Sequence, residues 1–192
     1  MLEAFFVSLS VVALAEIGDK TMLLAIVLAA KLRAPVQIVL GILAATIANH
    51  ALAAFVGVEV AGVLEARWFR IAVALGFLAM AAWTLVPDKL DDDEDAAVKR
   101  RGGAFLTTLV SFFIVEMGDK TQVATIALGA QYRDVLAVMT GTTLGMMIAN
   151  VPAVFLGNAL IARVPLGTVR IIAALLFLVI GLWLLASLAG LV

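Results

Sequence analysis

The chain has 192 residues, of which 65% are hydrophobic and only 14% are charged. A soluble globular domain is nearer half apolar and a quarter charged, so this composition predicts an all-α protein embedded in a lipid bilayer, with no separate soluble domain. The net charge of -1 does not discriminate between functions, no nucleic-acid partner is expected, and the absence of cysteine excludes disulfides, cysteine-ligated zinc and thiol catalysis.

Six apolar segments have the length that a bilayer-spanning helix needs, about 20 residues. Helices are favoured over a barrel because the segments are long and continuous. No Lys or Arg precedes Lys20, so the charged start of a secretory signal is missing and the first segment is expected to be a retained span. The predicted spans are residues 4–30, 35–58, 68–86, 104–130, 135–160 and 168–190.

The first span contains the motif A-E-I-G-D-K-T-M, which places Glu16, Asp19 and Lys20 within an otherwise apolar run. In a continuous helix these three side chains share one broad face. A helix over residues 4–30 would be about 40 Å long, against a hydrocarbon core of about 30 Å, which predicts either tilt or a break around Gly18. Each mid-bilayer charge costs about 2.5–3.5 kcal/mol, so these side chains must face protein or water.

A charged linker follows the third span, with the sequence P-D-K-L-D-D-D-E-D-A-A-V-K-R-R-G-G at residues 87–103. It is predicted to be a solvated loop, although the acidic run at 91–95 could attract cations to an entrance. With the N-terminus outside, the loops at 31–34, 87–103 and 161–170 are cytoplasmic and hold most of the Lys and Arg residues. We therefore predict both termini outside and the linker in the cytoplasm, in a prokaryotic cell membrane.

The fourth span repeats the charged motif, as V-E-M-G-D-K-T-Q, 100 residues further along the chain. Arginine, glycine and tryptophan residues also recur at this offset. We predict a first three-helix repeat at 1–86 and a second at 104–192, joined by the linker. Because three is odd, the second repeat enters the membrane from the opposite side, which gives two inverted-topology repeats.

Over both motifs, four carboxylates meet two ammonium groups and leave a charge of minus two, which a divalent cation or two protons would neutralise. Carboxylate oxygens suit Ca2+, Mn2+ or Mg2+, whereas structural ion pairs of Glu16 with Lys20 and of Glu116 with Lys120 leave the aspartates unexplained. The predicted metal ligands are Glu16, Asp19, Glu116 and Asp119, with Lys20 and Lys120 for charge compensation or gating. Neutral auxiliary groups are Thr21, Thr121, Gln122, Asn49 and Asn150.

Further polar and flexible side chains in the spans have two interpretations each. Asn49 and Asn150 fall in corresponding regions slipped by one residue, and either lie near the metal or bridge helices. His50, the one histidine, is expected to pack or to form a hydrogen bond rather than relay protons. The GxxxG pattern at Gly141–Gly145 predicts close helix packing, either within the chain or between subunits of a homo-oligomer. Thioether ligation is the alternative to plain packing for Met22, Met117, Met146 and Met147.

The doubled Glu-x-Gly-Asp-Lys-Thr motif, each copy in the first helix of a three-helix half, resembles the transmembrane protein 165 family of cation exchangers. The resemblance covers nearly the whole chain and includes the later segment Ala149-Asn150-Val151-Pro152-Ala153. It implies six helices in two inverted repeats, and Ca2+ or Mn2+ transport coupled to protons. It further implies that the two motif glutamates and two motif aspartates carry the ion.

We therefore expect a secondary antiporter that exports a divalent cation, with Mn2+ ahead of Ca2+, in exchange for protons at a midplane site shared by the repeats, and that has no cofactor. One alternative is an exporter of cationic amino acids, and another is a passive channel. An intramembrane aspartyl protease is the alternative from a different class. Two nearby lysines would disturb its aspartyl pair, and the position three before each aspartate is Glu rather than Gly, so no enzyme is expected.

Overall fold

The computed structural model describes residues 1–63, 67–86, 103–157, 159 and 164–191. The predictions for the solvated linker, its acidic run and the loop arginine at 163 lie outside these residues. The described part contains eight helices and three of them, Pro35–Gly62, Val135–Leu156 and Leu166–Leu188, are long and apolar enough to cross a membrane. The helices are α1 (Leu2–Glu16), α2 (Lys20–Leu32), α3 (Pro35–Val63), α4 (Arg67–Thr84), α5 (Ala104–Glu116), α6 (Lys120–Tyr132), α7 (Val135–Leu156) and α8 (Leu166–Leu188).

The first and fourth predicted spans are each broken in two at the charged motif. Between α1 and α2, Ile17 is extended and Gly18 has a φ of 86°. Between α5 and α6, Met117 is extended and Gly118 has a φ of 80°. Glycine adopts such positive φ angles without steric cost. A break, rather than tilt alone, therefore accommodates the long apolar runs.

The break overturns the prediction that the motif charges share one helix face. Glu16 is the last residue of α1, whereas Lys20 is the first residue of α2. Asp19 stands between them as the residue that precedes α2, with an extended backbone. The three side chains therefore leave the chain from two helix ends, and the spacing rule of a continuous helix does not apply to them.

The close helix crossings join the first half of the chain to the second. A side chain at Gly41 of α3 would collide with the Phe105 carbonyl of α5, and one at Gly141 of α7 would collide with the Phe5 carbonyl of α1. These are the same contact made twice at an offset of 100 residues. Gly145 also lies against α1, so the Gly141–Gly145 pattern packs within the chain, as small residues do at membrane-helix interfaces.

Corresponding contacts are not all equally close in the two halves. A Cβ atom at Gly57 of α3 would lie 2.2 Å from the Ile126 carbonyl oxygen of α6, whereas one at its counterpart Gly157, after α7, has no atom of the described residues within 4 Å. Likewise α1 packs against α8, while the equivalent α5 and α4 do not pack closely in the part of the chain that is described. The two halves therefore share local structure but differ in how they are packed.

Gly141→Ala should lower the thermal stability of the protein in detergent micelles. The added Cβ would lie 2.5 Å from the Phe5 carbonyl oxygen, so α1 and α7 must move apart, and overpacking of this kind costs about 1–3 kcal/mol. Gly76→Ala in α4 is the matched control because no atom in the described part of the chain lies within 4 Å of its added Cβ. Equal melting temperatures for the two variants would contradict this account of the crossing.

Candidate metal centre

The two helix breaks bring three carboxylates together in the interior of the protein. One oxygen from each of Glu16, Asp19 and Asp119 lies within 4.8 Å of the other two. The three residues are 0%, 3% and 4% exposed, so bulk water cannot screen their repulsion. Both aspartates immediately precede a helix, where the positive end of the helix dipole favours a negative charge. We call these three residues the carboxylate cluster.

Glu16 is held by hydrogen bonds from both halves of the chain. Its Oε2 accepts from Thr21 Oγ1 at 2.5 Å and from Asn150 Nδ2 at 3.4 Å, and its Oε1 accepts from Thr121 Oγ1 at 2.8 Å. Thr121 Oγ1 also lies 3.2 Å from Asp119 Oδ2. A hydroxyl carries one hydrogen, so Thr121 can donate to only one of these carboxylates at a time.

Each lysine interacts with the aspartate of the other repeat, Lys120 as a direct ion pair and Lys20 through its charge. Lys120 Nζ lies 3.4 Å from Asp19 Oδ1, and Lys20 is near enough to Asp119 for its positive charge to act on that carboxylate. Lys120 thus pairs with an aspartate of the other repeat rather than with Glu116 of its own motif, the pair considered as the structural alternative, because the broken helix no longer holds those residues one turn apart. Three carboxylates and two ammonium groups leave the cluster and its lysines with a charge of minus one.

Glu116 lies outside the carboxylate cluster. It is fully buried, and its Oε1 is 3.6 Å from Nε2 of His50, which is also fully buried. Neither side chain makes a hydrogen bond within the residues that the structure describes. Glu116 thus lacks the donors that hold Glu16. Of the four predicted carboxylate ligands, three form the carboxylate cluster, and the fourth, Glu116, lies beside His50.

The pairing of Glu116 with His50 corrects the alignment of the two repeats. His50 faces Glu116, while Asn150 donates to Glu16, so His50 and Asn150 are counterparts at an offset of 100. The sequence comparison instead matched the two asparagines with a slip of one residue and gave His50 no counterpart. Applied to residue 150, the constant offset of 100 between the charged motifs would have identified His50 as the counterpart of Asn150.

The other predicted auxiliary residues do not reach the carboxylate cluster. Asn49 Nδ2 donates to the Phe113 carbonyl at 3.2 Å, which bridges α3 and α5. Gln122 Oε1 accepts from the Gly118 backbone N–H at 2.7 Å and so stabilises the helix break. Among the methionines, Met146 accepts a hydrogen bond from Thr46 and Met117 is largely exposed. The Met146 sulfur is therefore engaged by a hydroxyl, and the Met117 side chain lies mostly on the surface.

A known protein family matches both halves of the chain. A family model described as "Divalent cation/proton antiporter GDT1" matches residues 4–92 and 104–190. The matched segments contain both charged motifs and omit residues 93–103 of the linker. This match confirms the resemblance indicated by the doubled motif.

Several named proteins can be aligned with nearly the whole chain. A Vibrio cholerae protein named "Putative manganese exporter" is 49% identical over 92% of this chain and 87% of its own length. "GDT1-like protein 4" of Oryza sativa subsp. indica is 32% identical over 93% of this chain and 71% of its own length. "GDT1-like protein 5" of Arabidopsis thaliana is 28% identical over 95% of each chain. No solved structure matches this chain.

Proposed function

This chain belongs to the GDT1 family of divalent cation/proton antiporters, and from that premise we propose that it exports Mn2+ from the cytoplasm in exchange for protons at the carboxylate cluster. Family membership makes the chain a transporter and not an enzyme, which removes the protease alternative. The observation that carries the proposal is the convergence of Glu16, Asp19 and Asp119, from both repeats, within 4.8 Å.

The proposed membrane topology is six spans in two inverted repeats, with each broken helix pair counted as one span. Matching backbone features support it: Gly18 and Gly118 have similar positive φ angles, and so do Arg33 and Arg133 at the next chain reversal. In this cysteine-free chain, single cysteines introduced at Asp92 and Asp134 should label from opposite sides of the membrane. Labelling from the same side would contradict the inverted arrangement.

Mn2+ is the proposed cargo because the cluster offers oxygen ligands and because of the 49% identical relative named "Putative manganese exporter". Carboxylate and hydroxyl oxygens suit Mn2+ and also Ca2+ and Mg2+. The three carboxylates of the cluster and the hydroxyls of Thr21 and Thr121 form an oxygen-rich set. A competition assay among the three ions tests which one this set favours.

Proton coupling follows from competition for the same buried carboxylates. A divalent cation changes the charge of the cluster and its two lysines from minus one to plus one, and protons on the same carboxylates would raise it further. When the cation leaves, Lys120 stays at 3.4 Å from Asp19 and reduces the cost of a buried, uncompensated charge. Cation binding and protonation are therefore alternatives at one site, so release of one accompanies uptake of the other, as exchange requires.

The proposed exchange can be measured with purified protein in liposomes that enclose a pH-sensitive dye. An imposed pH gradient should drive Mn2+ uptake, and an imposed Mn2+ gradient should move protons in the opposite direction. Protein-free liposomes and a membrane that has been made proton-permeable are the controls. Mn2+ flux that continues without any proton counterflow would exclude antiport and favour a channel.

Thr121→Val should weaken Mn2+ binding by at least about tenfold, because a hydrogen bond to a charged group contributes about 1.5–3 kcal/mol and this hydroxyl contacts both Glu16 and Asp119. Thr121→Ser keeps the hydroxyl and should retain binding. Thr125→Val on the same helix is the matched control, since the buried Thr125 hydroxyl donates only to the Thr121 backbone. Equal affinities for the two valine variants would show that the hydroxyl plays no part.

A further inference from the structure

We propose that Glu116 and His50 form a second cation position, separate from the carboxylate cluster, at which the imidazole nitrogen favours a first-row transition-metal ion over Ca2+ and Mg2+. This inference rests on the proposed function and deepens it by naming a residue that selects the ion. It depends on the environment of Glu116, on the geometry of the pair and on ligand chemistry.

The environment of Glu116 leaves its charge without neutral donors. Glu16 accepts hydrogen bonds from three side chains, whereas both carboxylate oxygens of its counterpart Glu116 have none within the described residues. Both nitrogens of His50 also lack hydrogen-bond partners there. Burial of a polar group without a partner is costly, and burial of an unpaired charge is more so. A cation between the two side chains would satisfy Glu116 and one nitrogen of His50.

The distance within the pair suits two ligands of one ion better than a direct hydrogen bond. Glu116 Oε1 and His50 Nε2 are 3.6 Å apart, beyond the usual N–H···O range of 2.7–3.2 Å. Ligand atoms that are about 2.0–2.2 Å from a first-row ion lie roughly 3.0–3.5 Å from each other. Asn49 Oδ1, on the same contact between α3 and α5, is buried without a donor and adds a further oxygen to this region.

The chemistry of the pair differs from that of the carboxylate cluster. Ca2+ and Mg2+ take oxygen ligands, whereas imidazole is a common ligand of first-row transition ions. At the equivalent position of the other repeat, Asn150 presents an amide N–H to Glu16 and not a basic nitrogen. The two repeats therefore offer one position built from oxygens alone and one that includes nitrogen.

The two positions are close enough to act on one ion in succession. Glu116 is near enough to Glu16 and Asp119 for its charge to act on both, and these two belong with Asp19 to the carboxylate cluster, so the two positions form one acidic region. An ion that moves from one position to the other stays within that region. The oxygen-only cluster can admit several divalent ions, and the position with His50 then discriminates among them.

Pulsed electron paramagnetic resonance of Mn2+ bound to the full chain tests this assignment directly. His50 is the one histidine among the 192 residues, so protein prepared without a histidine tag has a single source of imidazole nitrogen. We expect a coupling from directly bound nitrogen in the wild-type spectrum and its loss in His50→Gln. Bound Mn2+ without that coupling in the wild-type protein would overturn the inference, even if His50→Gln failed to fold.

Ion selectivity provides a second measurement that does not depend on transport activity. In equilibrium competition, His50→Gln should lose at least about tenfold of the preference for Mn2+ over Ca2+, while Glu3→Gln, at an exposed site on α1, should leave it unchanged. An unchanged preference in His50→Gln would overturn the inference. If the wild-type protein neither binds nor transports Mn2+, the proposed function fails as well, whereas transport with no nitrogen coupling refutes only the role of His50.

Discussion

Glu16→Gln is expected to reduce Mn2+ transport by at least about a hundredfold, the largest effect of any single change considered. Changes outside the first ligand sphere of a metal already cost 10–100-fold, and Glu16 is itself one of the three clustered carboxylates. The substitution removes a negative charge from the proposed cation site. Its amide nitrogen would also replace one of the two oxygens, and so face either Thr121 or the pair Thr21 and Asn150, all of which now donate to the carboxylate.

The loss should be measured both as Mn2+ uptake into proteoliposomes and as the Mn2+ dissociation constant of the purified protein. Glu3→Gln, with the same chemical change at an exposed position of α1, is the matched control and should transport normally. Elution of both variants as single species in size-exclusion chromatography would exclude misfolding as the cause. A Glu16→Gln protein with wild-type transport would refute the carboxylate cluster as the site of exchange.

Lys120→Met should bind Mn2+ at least about tenfold more tightly and yet transport it at least about tenfold more slowly. Lys120 Nζ lies 3.4 Å from Asp19 Oδ1 and is almost fully buried, so it competes with the cation for that carboxylate. Its removal changes the charge of the cluster and its lysines from minus one to minus two. Even about 1.4 kcal/mol of lost competition amounts to a tenfold gain in affinity, and breaking a buried pair usually costs more than that.

Slower turnover follows because the cation-free state loses its internal positive charge. With a buried carboxylate left uncompensated, release of Mn2+ becomes the slow step of the cycle. Binding by calorimetry and steady-state flux should therefore change in opposite directions, which general damage to the fold would not produce. Lys31→Met, at an exposed position near the end of α2, is the control. Weaker Mn2+ binding by Lys120→Met would contradict the role of Lys120 as a competitor.

The helices and the repeat were predictable because both depend on local sequence. Apolar length gave segments close to the observed helices, and the recurrence of the charged motif at an offset of 100 corresponds to two equivalent backbone breaks at Gly18 and Gly118. Length alone, however, could not distinguish tilt from a break. That choice depends on whether a glycine adopts a positive φ, which many glycines in membrane helices do not.

The partners of the charged residues were not predictable, because they are set by contacts between distant parts of the chain. Spacing within one helix suggested that Glu16 pairs with Lys20, but Lys120 pairs with Asp19 across 101 residues. The repeat could not predict that Glu116 lies apart from the cluster while Glu16 belongs to it, because the two motifs are nearly identical in sequence. Equivalent residues in the two halves have different surroundings, as Gly57 and Gly157 also do.

The reciprocal glycine crossings have a consequence for how the protein is made. α1 packs closely at Gly141, and α5 packs closely at Gly41, so the first helix of each half makes its close glycine crossing with the other half. A ribosome delivers α1, with the buried Glu16 at its end, well before α7 and the hydroxyl of Thr121 exist. Until the second half is inserted, Glu16 in the nascent first half therefore lacks the hydrogen bonds from Thr121 and Asn150. A chain that stops within the linker would remain in that state, as a natural substrate for membrane quality control.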